Sequence, residues 1–395
     1  MTSNMHHQGP RKLISNKLSP AITLAVYAAI MLTSTLVASP PLHAQTYQIL
    51  YNFNPAVDGS TNPLGLTRDA TGNILGVAGS NHGSVFKLDL TNRMLTTLYS
   101  FSGTPDGDHP QDPVVLDSAG NIYGTTRGGG ANGLGAVFKI DPNGVETILH
   151  SFNGTDGQVP NGLIRDPAGN LYGTTVEGGL RGSGVVFRIN KFGVYQTLYK
   201  FTGPPDAAQP YAGLVRDPAG NLYGTTDTGG DFSKGTIFKL APDGTETVLH
   251  SFPGKAGGNR PFAGLLLDSA GNLYGSTFAG GTGRLGTVFK LDTSGVFSIL
   301  INFSGANGEE PGELALDAAG NLYGTSYRGG GPFDDGVVFK LDPSGNETVL
   351  HSFAGRPDGS GPSERRPLVA SDGTIIGSTA TGGFYDAGTI FRIKP

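Results

Sequence analysis

The sequence predicts an all-β fold: a seven-bladed β-propeller of four-stranded blades, with the ring closed by the N-terminal strand joining the last blade. Three observations predict it. One phrase recurs seven times at a spacing near 50 residues. Each unit holds four short segments rich in Val, Ile, Leu, Tyr, Phe or Thr, bounded by Gly, Pro, Asn or Asp. The last unit lacks a fourth segment, and an isolated one of that type stands at Tyr47–Phe53.

The phrase is clearest at Asp166-Pro-Ala-Gly-Asn-Leu-Tyr-Gly-Thr-Thr175 and is nearly copied at Asp217–Thr226. Weaker copies start at Asp69, Asp117, Asp268 and Asp317, and a degenerate one runs Ser371–Thr379. Its asparagine falls at 73, 121, 170, 221, 272 and 321, with Thr374 last, in steps of 48, 49, 51, 51, 49 and 53. Phe86, Phe138, Phe187, Phe238, Phe289, Phe339 and Phe391 mark the third segment. Phe101, Phe152, Phe201, Phe252, Phe303 and Phe353 close the units, and Phe53 is of the same class. A period near 50 with four strands per unit is the arithmetic of a propeller blade. In the fourth unit the strands read Gly213–Asp217, Leu222–Thr226, Gly235–Ala241 and Thr245–Phe252. Proline presets φ in the turns between them, and glycine accepts positive φ. Tyr47-Gln-Ile-Leu-Tyr-Asn-Phe53 reads like Glu246-Thr-Val-Leu-His-Ser-Phe252, so it is the strand expected to complete the last blade. Such closure pairs an otherwise open edge.

Residues 1–44 read as a signal peptide. Arg11, Lys12 and Lys17 precede an apolar stretch, Ala21–Ala38, and cleavage is expected after Ala44. The propeller then spans 45–395. Without residues 1–44 the chain has 24 Lys+Arg against 32 Asp+Glu, a net of −8. A mildly acidic chain is a poor partner for nucleic acid, whose phosphates need a basic surface. No later apolar stretch is long enough to span a membrane. The expectation is therefore a secreted protein, periplasmic or at the cell surface, and monomeric. Cysteine is zero, which excludes disulfides, thiolate metal sites and a cysteine nucleophile.

The recurring Gly-Asn-Leu-Tyr-Gly-Thr-Thr, Gly-Gly and Val-Phe-Lys-Leu phrases resemble the GloVer-type tandem repeat of secreted bacterial proteins over about residues 47–395. That family is described as "choice of anchor", because its members carry differing C-terminal attachment signals. The resemblance implies a secreted repeat protein and brings no catalytic residue. The last residues here, Lys394-Pro395, do not read as such a signal, so attachment by one is not expected.

Propeller topology sorts the loops. Short turns fall on one face; the longer inter-blade loops and the loops between strands two and three fall on the other. Variable loops on a rigid frame carry specificity, so the long-loop face is the expected binding face. Its candidates are Asp106, Asp108, His109, Asp156, Asp206, Tyr211, Arg260, Phe262, Phe278, Asp358 and Tyr385. The partner expected there is an envelope protein or a saccharide. The Asp-Gly pairs at 58, 106, 156 and 358 read as turn chemistry. The alternative is a ring of oxygens holding Ca²⁺ or another divalent cation. Nothing in the sequence demands a cofactor, because the dense Asp-x-Asp-x-Asp spacing of a metal loop is absent. Asp106, Asp108 and His109 form the most polar cluster, and a metal-assisted hydrolase or lyase of the gluconolactonase or streptogramin-lyase type is the competing function. Tryptophan is zero, so sugar stacking would fall to Tyr211, Phe262, Phe278, Phe333 and Tyr385. His150, His250 and His351 alternate with tyrosine and isoleucine at one repeat position and read as packing residues. The strand-three cations, such as Lys139, Lys239 and Lys340, are expected to pair with Glu146, Glu246 and Glu347. The Gly-Gly pairs lack the lysine and helix of a phosphate loop and read as tight turns.

Overall fold

Why the phrase is repeated becomes clear from one copy. The structure, a computed structural model, describes residues 45–59 and 61–394. The signal-peptide reading falls on residues 1–44, outside the described residues. In the fourth blade the Asp217 carboxylate accepts from Asn221 N at 2.8 Å, Asn221 Nδ2 at 2.6 Å and the Tyr223 hydroxyl at 3.0 Å. This ties the first turn to the second strand. Leu222 enters the core. Gly224 lies under the ring of Phe238 from the third strand, where a Cβ would come no farther than 2.7 Å from ring carbons. Thr225 Oγ1 reaches the next blade, donating to Ala263 O at 3.0 Å. Thr226 Oγ1 turns back to Thr228 O at 2.8 Å and fixes the start of the long loop.

Seven antiparallel blades result among the described residues. The fourth runs Val215–Arg216, Leu222–Thr226, Thr236–Leu240 and Glu246–Ser251 from axis to rim. The innermost strands are mostly two residues long, shorter than the sequence suggests, because the blade backbones crowd at the axis. The third and fourth strands share a register shift in each blade, as between Ile237 and Phe238, which adds twist. The long loops are also more regular than expected. Gln158–Pro160, Glu309–Pro311 and Gly359–Pro362 add a further pairing to the second strands of blades 3, 6 and 7. The Gly-Gly pairs are the tight turns that end this extension. Gly229 and Gly230 have φ of 90° and 71°, and a Cβ on Gly229 would lie 2.5 Å from Asp206 O.

Adjacent blades meet through aromatic rings. The phenylalanine that closes one blade stands edge-on to the strand-three phenylalanine of the next. The seven pairs run from Phe53–Phe86 and Phe101–Phe138 round to Phe353–Phe391, with centroids 5.0–5.3 Å apart. Phe53 belongs to the N-terminal strand, Thr46–Asn52 plus one residue, which pairs with Thr389–Lys394 of blade 7. The ring is therefore closed by a strand-level clasp, as the sequence predicts.

The outer rim alternates with a two-blade period. His150 stacks on Tyr195, His250 on Phe297 and His351 on Tyr47, each at 3.8–3.9 Å. At three of the other seams the first rim residue is Glu146, Glu246 or Glu347, and at the seam of blades 7 and 1 the alternation breaks with Leu95. These glutamates do not pair with the strand-three cations as expected: Lys139, Lys239 and Lys340 stand across from Thr147, Thr247 and Thr348, and the glutamates across from Ile140, Leu240 and Leu341. Lys87 bonds Asp69 at 2.9 Å, Arg188 bonds Gln196 at 2.9 Å, and Arg392 bonds Gln48. Glu347 instead accepts from Asn307 Nδ2 at 2.9 Å, in the preceding inter-blade loop.

Two consequences are testable. Deleting residues 45–53 removes the clasp and Phe53, and thermal melting of the truncated protein is expected to fall sharply. Phe53→Ala in the intact chain is expected to cost about 3–5 kcal/mol in denaturant unfolding, as for other fully buried aromatic truncations. Unchanged melting of both proteins would refute closure by this strand.

Candidate functional site

A ring of seven equivalent residues surrounds the long-loop mouth of the central channel. Each precedes a proline at the end of an inter-blade loop: Asn62, His109, Val159, Gln209, Arg260, Glu310 and Gly361. All have φ of 56–58°, although the residue before proline ordinarily favours extended backbone and β-branched residues avoid positive φ. The compensation is a hydrogen bond from each N–H to the preceding blade, such as Val159 N to Leu134 O at 3.0 Å and Arg260 N to Lys234 O at 3.1 Å. The backbone of this ring is uniform, and its side chains differ from blade to blade.

The residues after the prolines and after the Thr-Thr pairs complete the mouth. In blades 2–5 they form one continuous array. Tyr211 meets Phe262 edge to face at 4.8 Å, and Phe262 meets Phe278 at 5.4 Å. The Arg260 guanidinium lies 4.5 Å from the Phe262 centroid and 5.4 Å from that of Phe278. Its Nε bonds Asp227 Oδ1 at 3.2 Å. Arg127 stands 5.9 Å from the Tyr211 ring and donates to Gln111 Oε1 at 2.9 Å. Burial draws the Arg127 pKa below its ordinary value. Burial also raises the Asp227 carboxyl, against the pull of Arg260.

Beneath the mouth, charged groups plug the axis. Arg365 of blade 7 reaches Asp112 of blade 2 at 3.1 Å and Glu313 of blade 6 at 3.7 Å. Arg366 lies 3.8 Å from Glu313 and donates to Leu265 O of blade 5 at 2.8 Å. Burial opposes the Arg365 charge, but Asp112, Glu313 and Glu364 outweigh it and hold the guanidinium more firmly protonated. Burial raises the Glu364 carboxyl, only partly offset by Arg365. Asp112 Oδ2 and Asn161 Oδ1 are buried acceptors with no protein donor. A cavity of about 190 Å³ lies along the axis, lined by Asp112, Glu313, Arg366 and inner-strand leucines, with Gly162, Gly213 and Gly264 leaving it room.

Of the sequence candidates, Tyr211, Arg260, Phe262 and Phe278 come together in this array. The aspartates do not converge on the axis. Asp106 accepts from the Tyr99 hydroxyl at 3.2 Å and Ser102 N at 2.9 Å, and Asp206 from Tyr199 and Thr202 in the same way. Asp156 bonds His150, and Asp358 bonds His351, each at 3.0 Å. Each carboxylate therefore braces its loop against an outermost strand, and two of the histidines are loop clamps as well as packing residues. At His250 the clamp is missing, because glycine occupies the aspartate position at Gly257; its buried Nε2 has no partner. The Asp106–Asp108–His109 cluster divides. Asp108 Oδ1 instead takes His82 Nδ1 at 3.0 Å and His109 Nδ1 at 2.7 Å. Tyr385 is exposed beside Phe384 on the blade 7 loop, away from the array in blades 2–5. Among the described residues, no group of three or more His, Cys, Asp or Glu has a metal-holding arrangement.

Sequence reasoning missed Arg127, Asp227 and the axial Asp112, Glu313, Arg365 and Arg366. Their signal was present: aligned unit by unit, they stand where other units carry Gly, Ala or Pro, or a different residue each time.

The profile of the Gloeobacter/Verrucomicrobia repeat matches residues 39–217 and 209–395. The chain belongs to this repeat family. No curated relative matches it. Among solved structures, it is similar to an oligogalacturonate lyase from Vibrio parahaemolyticus, with 9% identity, TM-score 0.59, and coverage of 88% of this chain and 93% of that one. It is also similar to the extracellular domain of a protein described as a hybrid two-component system, from Bacteroides thetaiotaomicron, with 12% identity and TM-score 0.58. That match covers 89% of this chain and 41% of the other, so this chain spans about two fifths of its length. At such identities the likeness is one of fold. Among the described residues no helix is long and apolar enough to cross a membrane.

The rim of this repeat propeller carries a pH signature. Burial, and then Asp106 or Asp206, raises the carboxyls of Glu146 and Glu246 to about 7. Each holds its proton to a higher pH folded than unfolded. The stability this contributes is complete at low pH and is lost as pH rises through about 7. The double variant E146Q/E246Q stays neutral and escapes that loss. Its melting temperature relative to the parent is expected to climb from about pH 5 to about pH 8. A constant difference across that range would contradict the assignment.

Proposed function

We propose that this family member is a secreted, non-catalytic binding propeller. Its long-loop face takes an extracellular or envelope partner at the channel mouth, and the partner chemistry that fits best is a saccharide bearing carboxylates. The observation that carries this reading is the Tyr211–Phe262–Phe278 array with Arg127 and Arg260. It lies where a repetitive chain departs from its own repeat. Sugar rings stack on aromatic faces, and guanidinium groups take carboxylates through paired hydrogen bonds. The unpaired acceptors Asp112 Oδ2 and Asn161 Oδ1 are suited to sugar hydroxyls. A hydrolase or lyase would need axial carboxylates free to act as acid, base or metal ligand. Asp112 and Glu313 are instead in ion pairs with Arg365.

The test is thermal melting with oligogalacturonate, with neutral dextran, and with an envelope protein extract. A ligand bound only by the folded state adds about 2.7 kcal/mol at a hundred times its Kd. Oligogalacturonate is expected to raise melting and dextran to leave it unchanged. R260A/F262A is expected to weaken binding by roughly tenfold or more, since a hydrogen bond to a charged group is worth about 1.5–3 kcal/mol. A shift that survives R260A/F262A would place binding elsewhere. A shift only with envelope protein would replace the saccharide by a protein partner.

A further inference from the structure

We propose that the groove between blades 1 and 2, on the short-turn face opposite the mouth, is a binding site for a phenolic small molecule. Its hydroxyl would reach the aspartate that accepts a tyrosine hydroxyl in five other blades.

The second strands of blades 2–6 carry Tyr123, Tyr172, Tyr223, Tyr274 and Tyr323. Each hydroxyl donates to Oδ2 of the aspartate that opens its turn, at 3.0–3.2 Å. The strand-three cation lies directly across the ladder, and Lys290 and Lys340 stand 5.6 and 5.8 Å from the Tyr274 and Tyr323 rings. Blade 1 keeps the aspartate, the asparagine and the cation of this cradle but not the ring. Asp69 is present, Lys87 is in register, and the residue opposite Lys87 is Leu75. With no phenol to accept from, Asp69 Oδ2 draws Lys87 Nζ to 2.9 Å, and the Asn73 amide turns to Thr71 Oγ1 at 2.9 Å.

The open volume at this seam is about 540 Å³. Leu75, Leu98, Leu116, Ile122 and Ile140 form apolar walls, and Arg68 and Lys87 with Asp69, Asp117 and Asp141 supply charge of both signs. The corresponding groove of blades 3 and 4, with Tyr172 in place, holds about 350 Å³. Blade 7 supplies a contrast. It also lacks the tyrosine, carrying Ile376, but there the aspartate has gone too, and Ala370 opens the turn. Blade 1 retains the acceptor and the cation without the ring they serve elsewhere. A phenol entering the groove would donate its hydroxyl to Asp69 Oδ2, set one face towards Lys87 and bury the other against leucine and isoleucine. A space of this size is within the range of small-molecule sites.

The experiment is isothermal titration of the whole protein with p-cresol, with toluene as the ring lacking a hydroxyl. Saturable p-cresol binding, at least tenfold tighter than toluene, is expected. Leu75→Tyr restores the repeat's own side chain. It is expected to raise the melting temperature and to weaken p-cresol binding at least tenfold. Leu98→Phe fills the same groove from the outer strand and serves if Leu75→Tyr does not fold. The absence of saturable heat up to the solubility limit of p-cresol would overturn the proposal. So would unchanged p-cresol binding in a folded groove-filling variant, or equal binding of toluene and p-cresol.

Discussion

Seven edge-to-face phenylalanine contacts between neighbouring blades are the constraint on which the rest of the architecture depends. Each requires three things at once: a phenylalanine ending one blade, a phenylalanine on the third strand of the next, and a glycine on the second strand beneath that ring. Phe101, Phe138 and Gly124 are one such set. Aromatic pairs in this geometry add about 0.5–1.5 kcal/mol beyond the area they bury. The glycine is less negotiable, because any Cβ there would enter the ring. The spacing of the repeat is therefore set by a contact between units, and closure follows from the same rule. Phe53 must meet Phe86, or one seam of the ring stays open.

That logic explains what was legible in the sequence. Strands, turns and closure were readable because their residues obey local rules: Pro and Gly for turns, and Phe, Gly and Thr at fixed offsets. Even the two-blade period of the rim is written in the chain, as His150, His250 and His351 lie 100 and 101 residues apart. The partners of the polar groups were not readable. Asp106 and Asp156 read as turn residues, with a cation-holding ring as the alternative, and each turns its Oδ2 to a tyrosine or histidine seven or six residues earlier. Glu347 looked like a cross-strand partner for lysine, but it takes the Asn307 amide of the previous loop instead. Which way a rim side chain leans depends on the neighbouring blade, and that information is not local.

The candidate site was half legible for a related reason. Tyr211, Arg260, Phe262 and Phe278 stand out because aromatic residues and arginine are conspicuous in glycine-rich loops. Asp112 and Arg365 are 253 positions apart and come together only because the ring brings blades 2 and 7 to one axis. No spacing rule finds such a pair. Comparing each unit with the others does narrow the choice, since a position that must pack repeats its residue and a position that need not is free to differ.

The pre-proline ring shows how that freedom arises. A left-handed residue before proline costs about 1–3 kcal/mol of strain. Here it occurs at seven equivalent places, each held by an N–H bond to the preceding blade and by the proline that follows. The latch is made by backbone atoms and the proline ring, so the side chain at that position takes no part in it. Asparagine, histidine, valine, glutamine, arginine and glutamate can all occupy it without altering the frame. A ring built this way separates stability from recognition: the strain is carried by a backbone device common to all blades, and the side chains around the mouth remain free to answer to a ligand. That separation is why the least repetitive surface of this protein lies directly on top of its most repetitive hydrogen bonds.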